Sequence, residues 1–330
     1  MQPSDATSVD RFTDQINPTV VATLSEITVL HVAGTDAAAF LQSQFCNDVA
    51  ALPDYGVQLN GYCTPKGRLL AVFHLIRRGD GFMMLVPESV APAFRKRLSM
   101  FVLRADVTID RWTIGAPIAI LGGGAADASA GELPDVPGQG CVHGESWVGR
   151  LPGPTPSWIA LGEAGSLDSV RAALPPDTPT ATDALWRASR LLAGEPILAG
   201  DAVDRFVPQM LNLDLIDGLS FRKGCYPGQE IVARTRYLGK QKRRMLLYHV
   251  DAVPTDAPVG PGSAIKSESK SGVGEVLAAE RSGDGLLLAV VLRLEHLRSQ
   301  LSLDIEGPDC PLAPVALPYD ALEGTDFVNA

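Results

Sequence analysis

Cys225 is the residue of this chain best placed for chemistry. It stands in Phe221-Arg222-Lys223-Gly224-Cys225-Tyr226-Pro227-Gly228-Gln229-Glu230, where three turn-making residues, Gly224, Pro227 and Gly228, precede a run from Gln229 to Leu238 free of Gly and Pro that stops at Gly239. The pattern predicts a loop followed by a helix with its N-terminus at Gly228 and Gly239 just past its end. A helix N-terminus carries unpaired N–H groups and partial positive charge, so with Arg222 and Lys223 beside it the loop is expected to cradle an anion. The same setting raises the thiolate fraction of a cysteine, which makes Cys225 the candidate functional thiol. The alternative is a buried cysteine acting as a small hydrophobe. No His lies in the stretch, so a Cys-His nucleophile would have to draw on His31, His74, His143, His249 or His296, and a hydrolase is not expected.

The neighbouring polar groups suit a ligand. Gln229 and Glu230 put donors and acceptors on the first helical turn, either capping it or holding the loop from Lys223 to Tyr226 beside a bound molecule. Trp186 and Tyr226 offer flat faces for stacking on a heterocycle, although plain core packing accounts for Trp186 equally well. From Arg222 to Arg244 there are eight Lys or Arg, Arg234 among them, against the single acid Glu230; this is net +7 in a chain of formal charge -10, leaving the remainder near -17. Such a run is either a solvated face or a cationic track for an anionic ligand.

The string Lys223-Gly224-Cys225-Tyr226-Pro227-Gly228-Gln229-Glu230 resembles the K-G-C-[FY]-x-G-Q-E signature of the YgfZ-type folate-binding proteins, relatives of the glycine cleavage T-protein. Two further segments are similar to that family. One is Phe40-Leu41-Gln42-Ser43-Gln44 through Asn47-Asp48-Val49, followed by Cys63-Thr64-Pro65-Lys66-Gly67-Arg68; the other is Phe206-Val207-Pro208-Gln209 with Asn212-Leu213-Asp214. The resemblance runs roughly from Thr19 to the end. It implies tetrahydrofolate or a folate derivative as cofactor, held by Trp186, Lys223, Gly224, Tyr226, Gly228, Gln229, Glu230 and Arg234, with the segment from Leu185 to Gly194 lining the cavity. It also implies iron-sulfur proteins or their assembly factors as partners, and a role in supporting iron-sulfur enzymes, including those that modify tRNA.

Two departures from the T-protein pattern bear on catalysis. Gly67-Arg68-Leu69-Leu70-Ala71-Val72 lacks the carboxylate that G-G-x-x-D-D places at the transfer centre, and Leu192 stands where L-R-L-E-A-G has the Glu that contacts the pterin. An apolar side chain cannot accept the pterin's hydrogen bonds. A typical aminomethyltransferase is therefore not expected, and folate affinity would rest on stacking and charge. One alternative is a tetrahydrofolate-dependent one-carbon transferase or demethylase whose acid is Asp48 or Asp214. Another is a tRNA-binding module using the cationic run, against which the overall negative charge and the lack of an RNA-binding motif weigh.

The elements that must position these residues read as α+β. A length of 330 residues suggests about two domains. The longest apolar run, Leu286 to Leu292, falls far short of the roughly 20 residues of a membrane span, so no membrane association is expected. Five scattered cysteines without a C-x-x-C pair form neither a disulfide framework nor a metal site and suit a reducing, cytoplasmic setting. Residues 1–18 read as a loose tail. In the first α/β lobe, 19–121, a strand at Ile27–Val32 precedes a helix from Asp36 to Val49. A hairpin follows, Leu69–Arg77 and Phe82–Val86 across Arg78-Gly79-Asp80-Gly81, then a helix from Glu88 to Phe101. Residues 122–140 read as a flexible insertion. The second α/β lobe, 141–241, contains a helix at Thr182–Ala193 and the signature, and short strands with turns over 242–330 predict a C-terminal β-barrel. The family resemblance adds that the three parts, with largely antiparallel sheets, surround a central cavity as in the T-protein-like fold.

Overall fold

A computed structural model of the protein describes residues 8–16, 18–113, 115–125, 133–237 and 241–327. Its elements begin with α1 (Ser8–Ile16), β1 (Val20–Thr23), β2 (Ile27–Ala33), α2 (Ala37–Gln44), β3 (Val57–Cys63), β4 (Leu69–Arg78), β5 (Gly81–Pro87), α3 (Ala91–Ser99), β6 (Thr108–Arg111) and β7 (Ile118–Leu121). Next come β8 (Gly140–His143), β9 (Ser146–Leu151), β10 (Ser157–Leu161), α4 (Ala164–Ala172), β11 (Thr180–Ala181), α5 (Asp183–Leu192) and α6 (Gln229–Tyr237). The last part consists of β12 (Arg243–Val250), β13 (Ala264–Ser267), β14 (Lys270–Ser282), β15 (Gly285–Arg293), β16 (Leu301–Leu303) and β17 (Ala313–Val315).

The expected hairpin is the centre of the first sheet, ordered β3-β4-β5-β2-β6. Its turn closes at Arg78↔Gly81, with Gly79 at φ 58°, the left-handed region in which glycine has no steric penalty. One face of this sheet carries α2 and α3, whose Phe40, Leu41, Phe94 and Leu98 are buried against it. There Phe45, Phe73 and Phe94 pack with ring centroids 4.8 to 6.1 Å apart, a geometry that adds to plain area burial.

The second sheet, β11-β1-β7-β10-β9-β8, takes two central strands from either side of the first lobe. β1 pairs antiparallel with β7 from Val20↔Leu121 to Thr23↔Ile118, and β7 pairs with β10. The first sheet is thus inserted between β1 and β7, which corrects the expected lobe boundary at residues 19 and 121: both of these strands belong to the second sheet. The pairing joins residues about a hundred positions apart, a relation that no local pattern reports. The expected loose tail is also corrected, since residues 8–16 form α1 and bury Phe12 and Ile16 in the main core. Val9, Phe12 and Ile16 carry a helical spacing inside an otherwise polar segment. Part of the expected insertion, 126–132, lies outside the described residues, but the portion from Leu133 is packed: Leu133 is buried and Trp158 Nε1 donates to the Pro134 carbonyl at 2.8 Å.

The six-stranded sheet β16-β13-β14-β15-β12-β17 curls into a half-barrel, with bulges in register between Ile265 and Ser267 and between Val276 and Ala278. A bidentate ion pair fastens it to the lobes: Arg244 Nη1 and Nη2 reach Asp214 Oδ1 and Oδ2 at 2.6 and 3.1 Å. Asn212, in the left-handed conformation, donates to the Met245 carbonyl at 2.8 Å. The main core draws residues from all three sheets, among them Leu85, Trp147 and Met245. Among the described residues no helix is long and apolar enough to cross a membrane.

Candidate functional site

Helix α5 builds the cavity between the lobes. Thr182 caps its first turn by accepting from the Leu185 N–H, and the helical repeat then places Trp186 and Arg190 one turn apart on one face. Trp186 is only 4% exposed, and the Arg190 guanidinium lies 5.4 Å from its ring centroid, within cation–π range. The cavity beside them has a volume of about 390 Å³ and is walled by Val72 of β4, Leu85 of β5, Ile27 and Ile159. A flat indole, aliphatic walls and a few polar groups are what an enclosed heterocycle site requires.

Three ionisable side chains close one end of this cavity. Arg190 donates to Glu195 Oε2 at 3.0 Å, to Ser157 Oγ at 2.8 Å and to the Pro152 carbonyl at 2.6 Å. His74 Nε2 stands 3.2 Å from Glu195 Oε1, close enough for an ion pair but off the hydrogen-bond direction. Burial opposes charge on Glu195, yet His74 and Arg190 outweigh it and hold the carboxyl down to about 2. The same three residues line a second cavity of about 700 Å³ bounded by Ile216 and Tyr319, so the triad forms the partition between the two spaces. Leu192 packs against the main core and does not line the Trp186 cavity; among the acids that do line it is Glu195, on the same side as Arg190 and His74, which sequence reasoning missed. No periodic signal marks Glu195, because it lies past the end of α5 between Gly194 and Pro196.

The signature loop lies elsewhere and is built around two glycines. Gly228, at φ 85°, backs onto Gly67, at φ 71°, and a Cβ on Gly228 would come within 2.6 Å of the Gly67 Cα. This locks the turn after β3 against the start of α6. Lys223 Nζ is buried and donates to the carbonyls of Gln42, Phe45 and Asn47 at 2.5, 2.5 and 3.0 Å. Burial pushes its pKa down to about 8, and its ammonium satisfies carbonyls at and just beyond the C-terminal end of α2. The expected role for Lys223 as a charge offered to an anion is corrected accordingly: its donors are turned inward. Gln209 Nε2 donates to the Val232 carbonyl at 2.6 Å, so all three family-like segments are stitched into one unit.

Of the residues expected to share a ligand, only Trp186 lines the inter-lobe cavity. Tyr226 is buried under the Lys223 ammonium, 5.3 Å from its ring centroid, and burial raises its phenol pKa; the two aromatic faces do not meet one ligand there. Gly224, Glu230 and Arg234 are exposed, and Gln229 Nε2 reaches the Gly224 carbonyl at 3.5 Å, across the loop. Cys225 is the exposed cysteine of the five. Beneath the loop Cys46 and Cys63 meet, and the hydrogen bond between them, with burial, raises the Cys63 pKa; their separation in sequence conceals this contact. The cationic run is not one surface either, since Lys223 and Arg244 are buried. Arg236 lies over the Phe221 ring at 4.3 Å. Gly239, the expected helix stop, lies outside the described residues, as does Lys240.

No protein-family model matches the chain. It is 30% identical over 277 residues to the tRNA-modifying protein YgfZ of Colwellia psychrerythraea, covering 82% of this chain and 84% of that one. It is likewise 30% identical over 302 residues to the protein of the same name from Edwardsiella ictaluri, covering 87% and 91%. Among solved structures, the glycine cleavage system aminomethyltransferase T from Bartonella henselae superposes with a TM-score of 0.71 over 94% of this chain and 89% of its own, at 16% identity. That likeness establishes the T-protein-like fold, with mixed α/β lobes, antiparallel sheets and a curled terminal sheet. The signature loop, the interlocked glycines and the sequence identity along most of both chains together place this chain in the YgfZ family.

Proposed function

We propose that the protein is a folate-binding accessory factor that supports iron-sulfur enzymes, including those that modify tRNA, and that the Trp186 cavity takes the pterin of tetrahydrofolate or a related folate. The observation that carries this reading is the largely apolar cavity, with an indole face under Arg190, inside a T-protein-like fold. The likeness to proteins named for tRNA modification supports that link. The carboxylates lining the cavity are already engaged: Asp183 accepts from Ser25 and from the Glu26 N–H, Glu88 from Thr28 and Arg111, Glu26 pairs with Arg187, and Glu195 is held by Arg190 and His74. Such a cavity suits binding without aminomethyl transfer. In this reading Gly224 and Cys225 form the exposed part of the signature loop that meets a cytoplasmic iron-sulfur partner, and Lys223, Tyr226 and Gly228 hold its shape.

Anaerobic titration with tetrahydrofolate, followed by tryptophan fluorescence and calorimetry, tests the cavity. Trp186→Ala is expected to weaken binding by about 1–3 kcal/mol, the scale of base-aromatic stacking; an unchanged affinity sinks the assignment. In cells lacking the endogenous factor, Cys225→Ala is expected to bind folate normally while failing to restore iron-sulfur enzyme activity. Full restoration would remove the thiol from the proposal.

A further inference from the structure

Two arginines face each other where the packed face of the half-barrel ends. Along the β12/β15 ladder Leu247 lies opposite Ala289 and Met245 opposite Val291, all buried, and the next pair in the same row is Arg243 opposite Arg293. Like charges directly opposite on paired strands destabilise a sheet. The ion pairs that hold their neighbours, Arg205 with Glu275 and Arg244 with Asp214, involve neither of these two guanidinium groups. Arg205 joins them around a recess of about 280 Å³, where the exposed Gly272 leaves the backbone uncovered. One carboxylate enters the recess: Glu275, whose Oε2 is 2.8 Å from Arg205. Its other oxygen, Oε1, is buried and has no hydrogen-bond partner.

We propose that this recess binds a ribose phosphate group, with Arg243 and Arg293 taking the phosphate oxygens and Glu275 Oε1 accepting from a sugar hydroxyl. Three guanidinium groups against one carboxylate leave an excess that an oxyanion neutralises, and the planar fork of arginine matches phosphate geometry. A carboxylate ligand would bring no donor for Oε1, whereas a hydroxylated phosphate ester supplies anion and donor together. The volume admits a sugar phosphate and leaves an attached base outside. The recess shares no residue with the Trp186 cavity, so the inference stands apart from the folate reading. The source is either a free sugar phosphate or an RNA strand.

Calorimetry on the full chain with ribose 5-phosphate, inorganic phosphate and a short single-stranded RNA tests this in the wild type and in Arg243→Gln and Arg293→Gln. Ribose 5-phosphate binding that falls about tenfold or more in both variants, the scale of one charge-assisted hydrogen bond, supports the proposal with a free sugar phosphate as source. RNA binding lost in the same variants, without uptake of ribose 5-phosphate, supports it with a strand as source. Equal binding in wild type and variants, or binding of neither probe, overturns it. If inorganic phosphate binds as tightly as ribose 5-phosphate, the hydroxyl contact at Glu275 is overturned. Since each substitution relieves repulsion, the thermal midpoint is expected to hold or rise; a fall of several degrees in both variants assigns the pair to the fold and overturns the site.

Discussion

Glu195 is the most strongly biased acid lining the Trp186 cavity, and its environment fixes the sign of a pH effect. Its folded pKa is about 2 against an ordinary 4.5, so its ion pairs add stability above about pH 4.5 that is lost as pH falls toward 2. At about 1.4 kcal/mol per unit this is about 3 kcal/mol. Urea midpoints of wild type and Glu195→Gln should therefore differ by that order near pH 7 and converge near pH 2; a constant gap across the range would refute the assignment. Cys225 makes a second test at this scale. It is exposed, while burial raises the pKa of Cys141 and Cys310, and Cys63 is held by Cys46 and by burial. Brief iodoacetamide treatment followed by mass spectrometry should find Cys225 modified first. Cys225→Ser should change stability by no more than about 0.5 kcal/mol, as surface substitutions do; earlier labelling of another cysteine would remove the thiol from consideration.

Loop and helix are held together by the back-to-back glycines, so at the scale of elements the two glycines of the signature differ. Gly228→Ala meets Gly67 and forces a positive φ, whereas a Cβ on Gly224 meets nothing within 4 Å. The first is expected to cost about 2 kcal/mol or more and the second about 0.5 kcal/mol or less, read from thermal midpoints; equal effects would mean that the two turns do not interlock. This contrast is invisible in the sequence, where both glycines simply read as turn formers. The β4/β5 hairpin and α5 are legible because turn chemistry and helical spacing are local. β3 is not, since it is buried on both faces, with Asn60 and Gly61 at its centre, and shows neither alternation nor a purely apolar run. Cys225 and Trp186 are recognisable at their sites, but the direction of Lys223 and the reach of Glu195 depend on partners more than a hundred residues away.

At the scale of the molecule, the half-barrel is fastened to the lobes by a buried charge pair. The Arg244 and Asp214 side chains are 4% and 9% exposed. Asp214→Asn leaves the guanidinium without its counter-charge and is expected to cost about 3–5 kcal/mol. All four tryptophans, Trp112, Trp147, Trp158 and Trp186, lie outside the half-barrel, so their fluorescence follows the lobes while circular dichroism follows every sheet. Coincident midpoints, both lowered, are the expected result; an unshifted midpoint would show the pair to be dispensable.

The insertion of the first lobe between β1 and β7 also orders events during synthesis. β1 emerges from the ribosome first among the strands, yet its antiparallel partner lies about a hundred residues downstream, about 5–20 s later at roughly 5–20 residues per second. Within that interval the first lobe has its whole aromatic cluster in hand, and its first and last strands are sheet neighbours through Leu30↔Arg111. Once folded it brings β1 and β7 together and removes most of the entropy of closing that long loop. The nascent chain therefore matures from the inside outward, and the strand translated first must wait for its place.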